Sequence, residues 1–133
     1  MASIFTKIIS GEIPSYKIAE NDKFLAFLDV FPLVHGHVLV VPKKETDYIF
    51  DIEDEELAEM IVFAKSVAKA IKKTVSCKRI GMSVIGLEVP HAHIHLVPMN
   101  TANDLNFTQP KIKPTQEELT AMAEKIRSGL LTV

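Results

Sequence analysis

Three of the five histidines of the chain lie in one short stretch and occupy alternate positions, His91, His93 and His95. A period of two is the period of a β-strand, so the three imidazoles are expected on one strand face, about 6–7 Å apart along the chain. Imidazole is a poor core residue, and three of them on one face therefore point to chemistry rather than to packing. The residues between and after them are apolar and predict an opposite face that packs on a core: Ala92, Ile94, Leu96 and Val97.

A row of imidazoles suits two kinds of chemistry, and the spacing alone leaves both open. Two histidines on a strand can bind one metal ion. Alternatively, one imidazole can act as a nucleophile while its neighbours orient it and carry protons. A metal site usually recruits carboxylate or thiolate ligands as well, but the sequence near the row offers only Glu88, and the one cysteine, Cys77, cannot form a Cys-x-x-Cys zinc half-site.

Length and composition limit the classes of protein that this chain can represent. Its 133 residues suit one domain, and a net charge of −2, from 15 basic and 17 acidic residues, gives no basic excess for a nucleic-acid partner. A single cysteine excludes a disulfide within the chain. The sequence shows no membrane-spanning apolar run and no cleavable leader, so we expect a cytoplasmic protein without a membrane partner.

The elements that must position the histidines can be predicted from periodicity and capping. Apolar residues at helical spacing predict three helices, at residues 4–10, 54–74 and 116–128. Ser3 is expected to cap the first helix, and Thr115 with Glu118 forms a capping box for the last one. Alternating or continuous apolar residues predict five strands, at residues 16–20, 23–28, 37–41, 80–85 and 92–98. Short connections favour antiparallel neighbours, and the fold class is therefore α+β.

The histidine row, followed by Leu96 and Val97, resembles the His-x-His-x-His signature of the histidine-triad (HIT) superfamily. Three further segments are similar to the branch of histidine triad nucleotide-binding proteins. They are Ile-Phe-Thr-Lys-Ile-Ile-Ser-Gly-Glu-Ile-Pro at 4–14, Phe-Leu-Ala-Phe-Leu-Asp at 24–29 and Gly-His-Val-Leu-Val-Val-Pro-Lys at 36–43. The four blocks occur in order and cover residues 4–99, which makes the resemblance far more specific than one motif.

The resemblance implies a fold and an assembly. It implies a single HIT-like domain at 1–133, with a core at about 3–100 and a C-terminal extension with a helix at about 101–133. The domain would hold a five-stranded antiparallel sheet, one long central helix, a short N-terminal helix and a C-terminal helix. Two copies would pair into a ten-stranded sheet through the strand at 80–85 and the helix at 54–74.

The resemblance also implies a reaction. It implies a nucleotide hydrolase or nucleotidyl transferase that acts at the α-phosphate of AMP-linked substrates, of the nucleoside phosphoramidate type, without a metal or another cofactor. His93 would attack phosphorus and form a covalent nucleotidyl-histidine, which water then resolves. His91 and His95 would flank it and donate to phosphate oxygens, while His37 would support the row from the neighbouring strand.

A purine-nucleotide pocket follows from the same resemblance. Ile4, Phe5 and Ile8 would form apolar walls for the base, although their spacing alone equally predicts a core stripe. The carboxylate of Asp29 would hold the ribose hydroxyls. The remaining expected nucleotide-binding residues are Phe27, Val30 and Glu88.

The residues before the triad depart from the pattern of the family. Leu87 stands where many members have a phosphate-contacting glutamine, and an Asn-x-Gly segment between the fourth strand and the triad is missing. Two phosphate contacts of the family are therefore not expected here. Three alternatives remain: a dinucleoside polyphosphate hydrolase, a nucleotide-binding protein with weak catalysis, and a metal-binding protein.

Overall fold

Five strands form one antiparallel sheet in a computed structural model that describes residues 2–130. The strands are β1 Lys17–Glu20, β2 Phe24–Leu28, β3 Val38–Pro42, β4 Arg79–Ser83 and β5 Ile94–Met99. Their order in the sheet is β1-β2-β3-β5-β4, which confirms the predicted α+β class and its five-stranded sheet. The helices are α1 Ile4–Ile9, α2 Asp54–Thr74 and α3 Gln116–Leu130, with short 3₁₀ turns at Ile49–Asp51 and Ala102–Leu105.

The two faces of the sheet serve different purposes because side chains alternate along each strand. On one face Phe24, Ala26 and Leu28 of β2 join the large core beneath α2 and α3. On the other face Leu25 and Phe27 of the same strand form a smaller cluster beneath α1. The second face carries less covering structure and holds the cavity described below.

Both predicted helix caps are present. The Ser3 hydroxyl accepts a hydrogen bond from the Thr6 amide at 3.1 Å and so begins α1. Thr115 and Glu118 exchange two hydrogen bonds, at 2.8 and 3.1 Å, and begin α3. The positive φ of Gly11, +85°, lets the chain leave α1 after its C-cap.

The triad strand begins later than the sequence predicts. We predicted residues 92–98, but β5 spans Ile94–Met99, so His91 and His93 precede the strand. The Ala92 amide donates to the Thr46 carbonyl at 2.7 Å, outside the sheet ladder, and the pairing with β3 starts only at Ile94. The alternation of side chains nevertheless continues through the segment, because Ala92 lies in the core beneath α2 and α3, whereas the rings of His91 and His93 contact Phe5 on the other face.

Strand β4 forms one edge of the sheet and ends at Ser83 rather than at the predicted residue 85. Gly86 then adopts a positive φ of +73°, which turns the chain towards the triad. On α2 the apolar Ile61 does not pack in the core, since 41% of its surface is exposed. The buried stripe of α2 is rotated away from it and comprises Met60, Ala64, Val67, Ala70 and Ile71.

Among residues 2–130, no helix combines the length and the apolar character needed to cross a membrane.

Candidate active site

A cavity of about 530 Å³ opens on the sheet face that α1 covers. Its walls come from α1, the end of β2, the loop before the triad and the segment after β5. Nine of the residues predicted for the site line it: Ile4, Phe5, Ile8, Phe27, Asp29, Val30, Glu88, His93 and His95. The other two predicted residues, His37 and His91, are buried close behind this wall, with 1% and 0% of their surface exposed.

His93 is held in a single tautomer by the backbone. Its Nδ1 lies 2.8 Å from the carbonyl oxygen of His91, which can only accept, so Nδ1 carries the proton. In the neutral ring the lone pair is therefore on Nε2. Burial lowers the pKa of His93 below its ordinary value of 6.5, which favours this neutral form at pH 7. A neutral imidazole with a lone pair on a fixed ring can act as a nucleophile.

His95 is held in the opposite tautomer through His37. The Leu33 amide donates to Nδ1 of His37 at 3.0 Å, so the proton of the neutral His37 ring must lie on Nε2. That Nε2 lies 3.0 Å from Nδ1 of His95 and donates to it, which places the His95 proton on its own Nε2. The Leu33 amide thus determines, through the His37 ring, that Nε2 of His95 is a hydrogen-bond donor. Nε2 of His93, by contrast, carries a lone pair.

Both rings of this relay are neutral at pH 7. Burial, followed by the charge of neighbouring groups such as His95, lowers the pKa of His37 to about 3. Burial and the nearby His93 lower the pKa of His95 to about 4. The ring centroids of His93 and His95 are 4.8 Å apart, so the lone pair of His93 and the N–H of His95 can reach the same group in the cavity.

The His91 side chain is fully buried, and both of its ring nitrogens are hydrogen-bonded within the protein. Its Nε2 lies 2.8 Å from the Pro42 carbonyl and must donate to it, and its Nδ1 accepts from the Ser3 hydroxyl at 2.7 Å. The Glu45 carboxylate in turn accepts from the Ser3 amide at 2.7 Å and from the Thr6 hydroxyl at 2.6 Å. This network ties the first turn of α1 to the triad, and it fixes the His91 carbonyl that orients His93.

The apolar part of the cavity adjoins His93. The Phe5 ring meets the rings of Phe27 and His93 edge to face, at centroid distances of 5.7 and 4.9 Å. Asp29 stands at the end of β2, where one of its oxygens accepts from the Phe31 amide at 2.9 Å. Burial raises the pKa of this carboxyl above its usual value, while the second oxygen remains as an acceptor near the cavity.

A metal ion is the alternative use of these side chains. Ligand atoms of Asp29, His37 and His95 lie within 4.8 Å of one another. The Leu33 amide argues against this use, because a neutral His37 that accepts at Nδ1 carries a proton on Nε2 and has no lone pair there for a metal. The donors therefore fit a hydrogen-bonded relay better than a metal centre.

Sequence reasoning missed several residues of the site. Phe107 packs against His95 at a centroid distance of 4.7 Å, and Lys111 lines the cavity beside it. Both lie in the segment after β5, where neither periodicity nor spacing marks a functional residue. Ser3 and Glu45 were missed as partners of the triad for the same reason, because only the folded chain brings them there.

Leu87, which departs from the pattern of the family, lies at the mouth of the cavity next to Glu88. The Leu87 side chain is 89% exposed and lines the cavity with no hydrogen-bonding group. Glu88 is exposed beside it and adds a negative charge to the same wall. This part of the site therefore offers no side-chain donor to a phosphate.

Comparison with known proteins places this architecture in one family. The HIT domain family matches residues 10–102. An adenosine 5'-monophosphoramidase of Schizosaccharomyces pombe is 35% identical over 132 residues, covering 98% of this chain and 99% of that protein. A second adenosine 5'-monophosphoramidase, from Saccharomyces cerevisiae, is 42% identical over 98 residues, covering 73% of this chain and 62% of the relative.

Solved structures agree with the sequence comparison. A HIT-like protein of Bartonella henselae superposes with a TM-score of 0.84 at 32% identity, covering 96% of this chain and 95% of that one. A zinc-bound histidine triad family protein of Mycobacterium smegmatis superposes with a TM-score of 0.85 at 27% identity, covering 99% and 95%. Together with the match over residues 10–102, these relatives show that the chain belongs to the HIT domain family.

Proposed function

We propose that this protein is a nucleotide hydrolase or nucleotidyl transferase that acts at the α-phosphate of AMP-linked substrates, of the nucleoside phosphoramidate type. The observation that carries the proposal is the pair of opposite tautomers at His93 and His95, two fixed rings beside one cavity. The relatives named adenosine 5'-monophosphoramidase support this substrate class.

The substrate occupies the cavity in one orientation. The base lies among the apolar residues around Phe5, and the second oxygen of Asp29 accepts from the ribose hydroxyls. This arrangement places the α-phosphate against the rings of His93 and His95. A volume of about 530 Å³ suffices for a mononucleotide.

The reaction runs in two halves. In the first, Nε2 of His93 forms a bond to phosphorus as the bond from phosphorus to the leaving amine breaks, and the amine nitrogen takes a proton from solvent while the Nε2–H of His95 donates a hydrogen bond to the phosphate. The imidazolium formed at His93 offsets the negative charge of the phosphate, and the His95 ring, whose centroid is 4.8 Å away, stays neutral. In the second half a water oxygen bonds to phosphorus, the bond to His93 breaks, and the water releases one proton to solvent.

Mass spectrometry tests the nucleophile directly. Wild-type protein mixed with adenosine 5'-phosphoramidate should show turnover or an AMP adduct on His93, and His93→Ala should show neither. His35→Ala is the matched control, because His35 is an exposed loop histidine and should leave adduct and turnover unchanged. A wild-type protein with neither adduct nor turnover, on the phosphoramidate or on a dinucleoside polyphosphate, would refute the proposal.

We also propose that two copies pair through the edge strand β4. The edge lies open in the described chain, and exposed apolar side chains follow it, with Met82, Val84 and Ile85 exposed by 54%, 38% and 44%. An unpaired apolar edge invites a second strand. The exposed Ile61 of α2, with 41% of its surface accessible, would be covered in the same assembly.

A further inference from the structure

The segment between β5 and α3 is held by hydrogen bonds at both ends, and its residues Phe107 and Lys111 line the cavity. At its start the amides of Asn100 and Thr101 donate to the Asp104 carboxylate at 2.8 and 3.0 Å. Near its end the Ile112 amide donates to the Pro32 carbonyl at 3.0 Å. Between these anchors Phe107 and Lys111 line the cavity that holds His93 and His95.

Lys111 is placed beside the donor histidine by Phe107. Its Nζ donates to the Phe107 carbonyl at 3.1 Å and lies 5.3 Å from the centroid of the Phe107 ring. The Phe107 ring also contacts His95, and the centroids of these two rings are 4.7 Å apart. The ammonium thus keeps further N–H groups for a ligand in the cavity.

The residues that line the cavity carry little positive charge. Asp29 and Glu88 are acidic, and Lys111 is the only lysine or arginine among the described residues that line the cavity. The two histidines that line the cavity are favoured in their neutral forms at pH 7, because burial lowers the pKa of both His93 and His95. An anionic phosphate would therefore enter a site with one cation and two carboxylates.

The charge of Lys111 acts on the groups around the cavity. Burial raises the pKa of Asp29 and lowers those of His95 and His37, and the nearby Lys111 charge is a smaller contribution that favours the lower pKa in each case. In the loop before the triad the exposed Leu87 also lines the cavity, and its side chain has no group that could bind a phosphate. The cation of the site is thus supplied by the segment after β5 rather than by the loop before the triad.

We propose that Lys111 binds the α-phosphate of the nucleotide and supplies the positive charge that the neutral histidines lack. The inference rests on the proposed function and names a contact within that same site. It makes a specific claim: Lys111 contributes to the binding of AMP but not to the binding of adenosine, which has no phosphate.

Titration calorimetry with AMP and with adenosine tests this claim on three proteins, wild type, Lys111→Met and Lys113→Met. We expect Lys111→Met to bind AMP about tenfold more weakly, the size of one charge-assisted contact at an exposed position, and to bind adenosine within about twofold of wild type. Lys113→Met is the matched control, since Lys113 is exposed on the same segment but does not line the cavity. Lys111→Arg should retain most of the AMP affinity.

The dependence of AMP affinity on ionic strength provides a second test of the proposal. Raising the ionic strength should weaken AMP binding to the wild type more than to Lys111→Met, because the variant lacks the charge that salt screens. Unchanged AMP affinity in Lys111→Met would overturn the inference and leave the proposed function standing. Equal losses for AMP and adenosine would also overturn it, because they would show that Lys111 acts through packing. A wild type that binds neither nucleotide would contradict the proposed function itself.

Discussion

Replacing His37 should change how the stability of the protein depends on pH. Burial holds the pKa of this ring at about 3, against 6.5 for an unperturbed histidine. Because the folded pKa is the lower one, the unfolded chain binds the proton first. The stabilisation from neutral His37 is therefore complete above pH 6.5 and is lost as the pH falls towards 3.

The size of the effect follows from the two pKa values. At about pH 5 the unfolded ring is almost fully protonated and the folded one is not, so His37 costs about 2 kcal/mol of unfolding free energy relative to pH 8. His95, with a pKa of about 4, costs about the same. Asp29 acts in the opposite direction because its pKa is raised, so a comparison of variants is needed to isolate the histidine.

His37→Asn is the informative variant. Its side-chain oxygen can still accept from the Leu33 amide, which Nδ1 of His37 does at 3.0 Å, but it cannot titrate. Urea unfolding followed by circular dichroism at pH 8 and pH 5 should show the variant losing about 2 kcal/mol less than wild type over this range. His35→Asn, an exposed histidine two residues away, should follow the wild type.

Parallel losses for wild type and His37→Asn would refute the reasoning. They would mean that His37 is not held neutral in the folded state. The tautomer that we assign to His95 would then lose its basis, because the donor at Nε2 of His37 depends on a neutral ring. A lower stability of the variant at both pH values is expected and decides nothing, since only the difference between the two pH values reports the titration.

Two further predictions concern the N-terminal turn and the assembly. Ser3→Ala removes both the cap of α1 and the partner of His91 Nδ1, and should lower the unfolding free energy by about 1–3 kcal/mol, whereas Ser10→Ala at the exposed C-cap should change it far less. An unaltered urea midpoint for Ser3→Ala would contradict this role. Light scattering should give a mass near twice 14.8 kDa for the wild type, and Met82→Lys on the edge strand should shift it towards one copy. A monomeric wild type at micromolar concentration would exclude the proposed pairing.

The sequence alone determined which residues of the triad share a face and which elements support them. Alternation at His91, His93 and His95 survives even though β5 begins only at Ile94, because period-two exposure follows from local backbone geometry. The caps at Ser3 and Thr115 are likewise local, since each side chain bonds an amide three residues away.

The tertiary structure decided what His95 can do, whereas the tautomer of His93 is set by a carbonyl only two residues away. The tautomer of His95 depends on His37, 58 residues away, and that of His37 on the amide of Leu33. The cation beside His95 comes from Lys111 and is oriented by Phe107, in a segment without any periodic signal. Spacing along a chain predicts which side chains face the same way. The proton position of His95 and the charge balance of the cavity depend on groups that meet only after the chain has folded, so no local pattern encodes them.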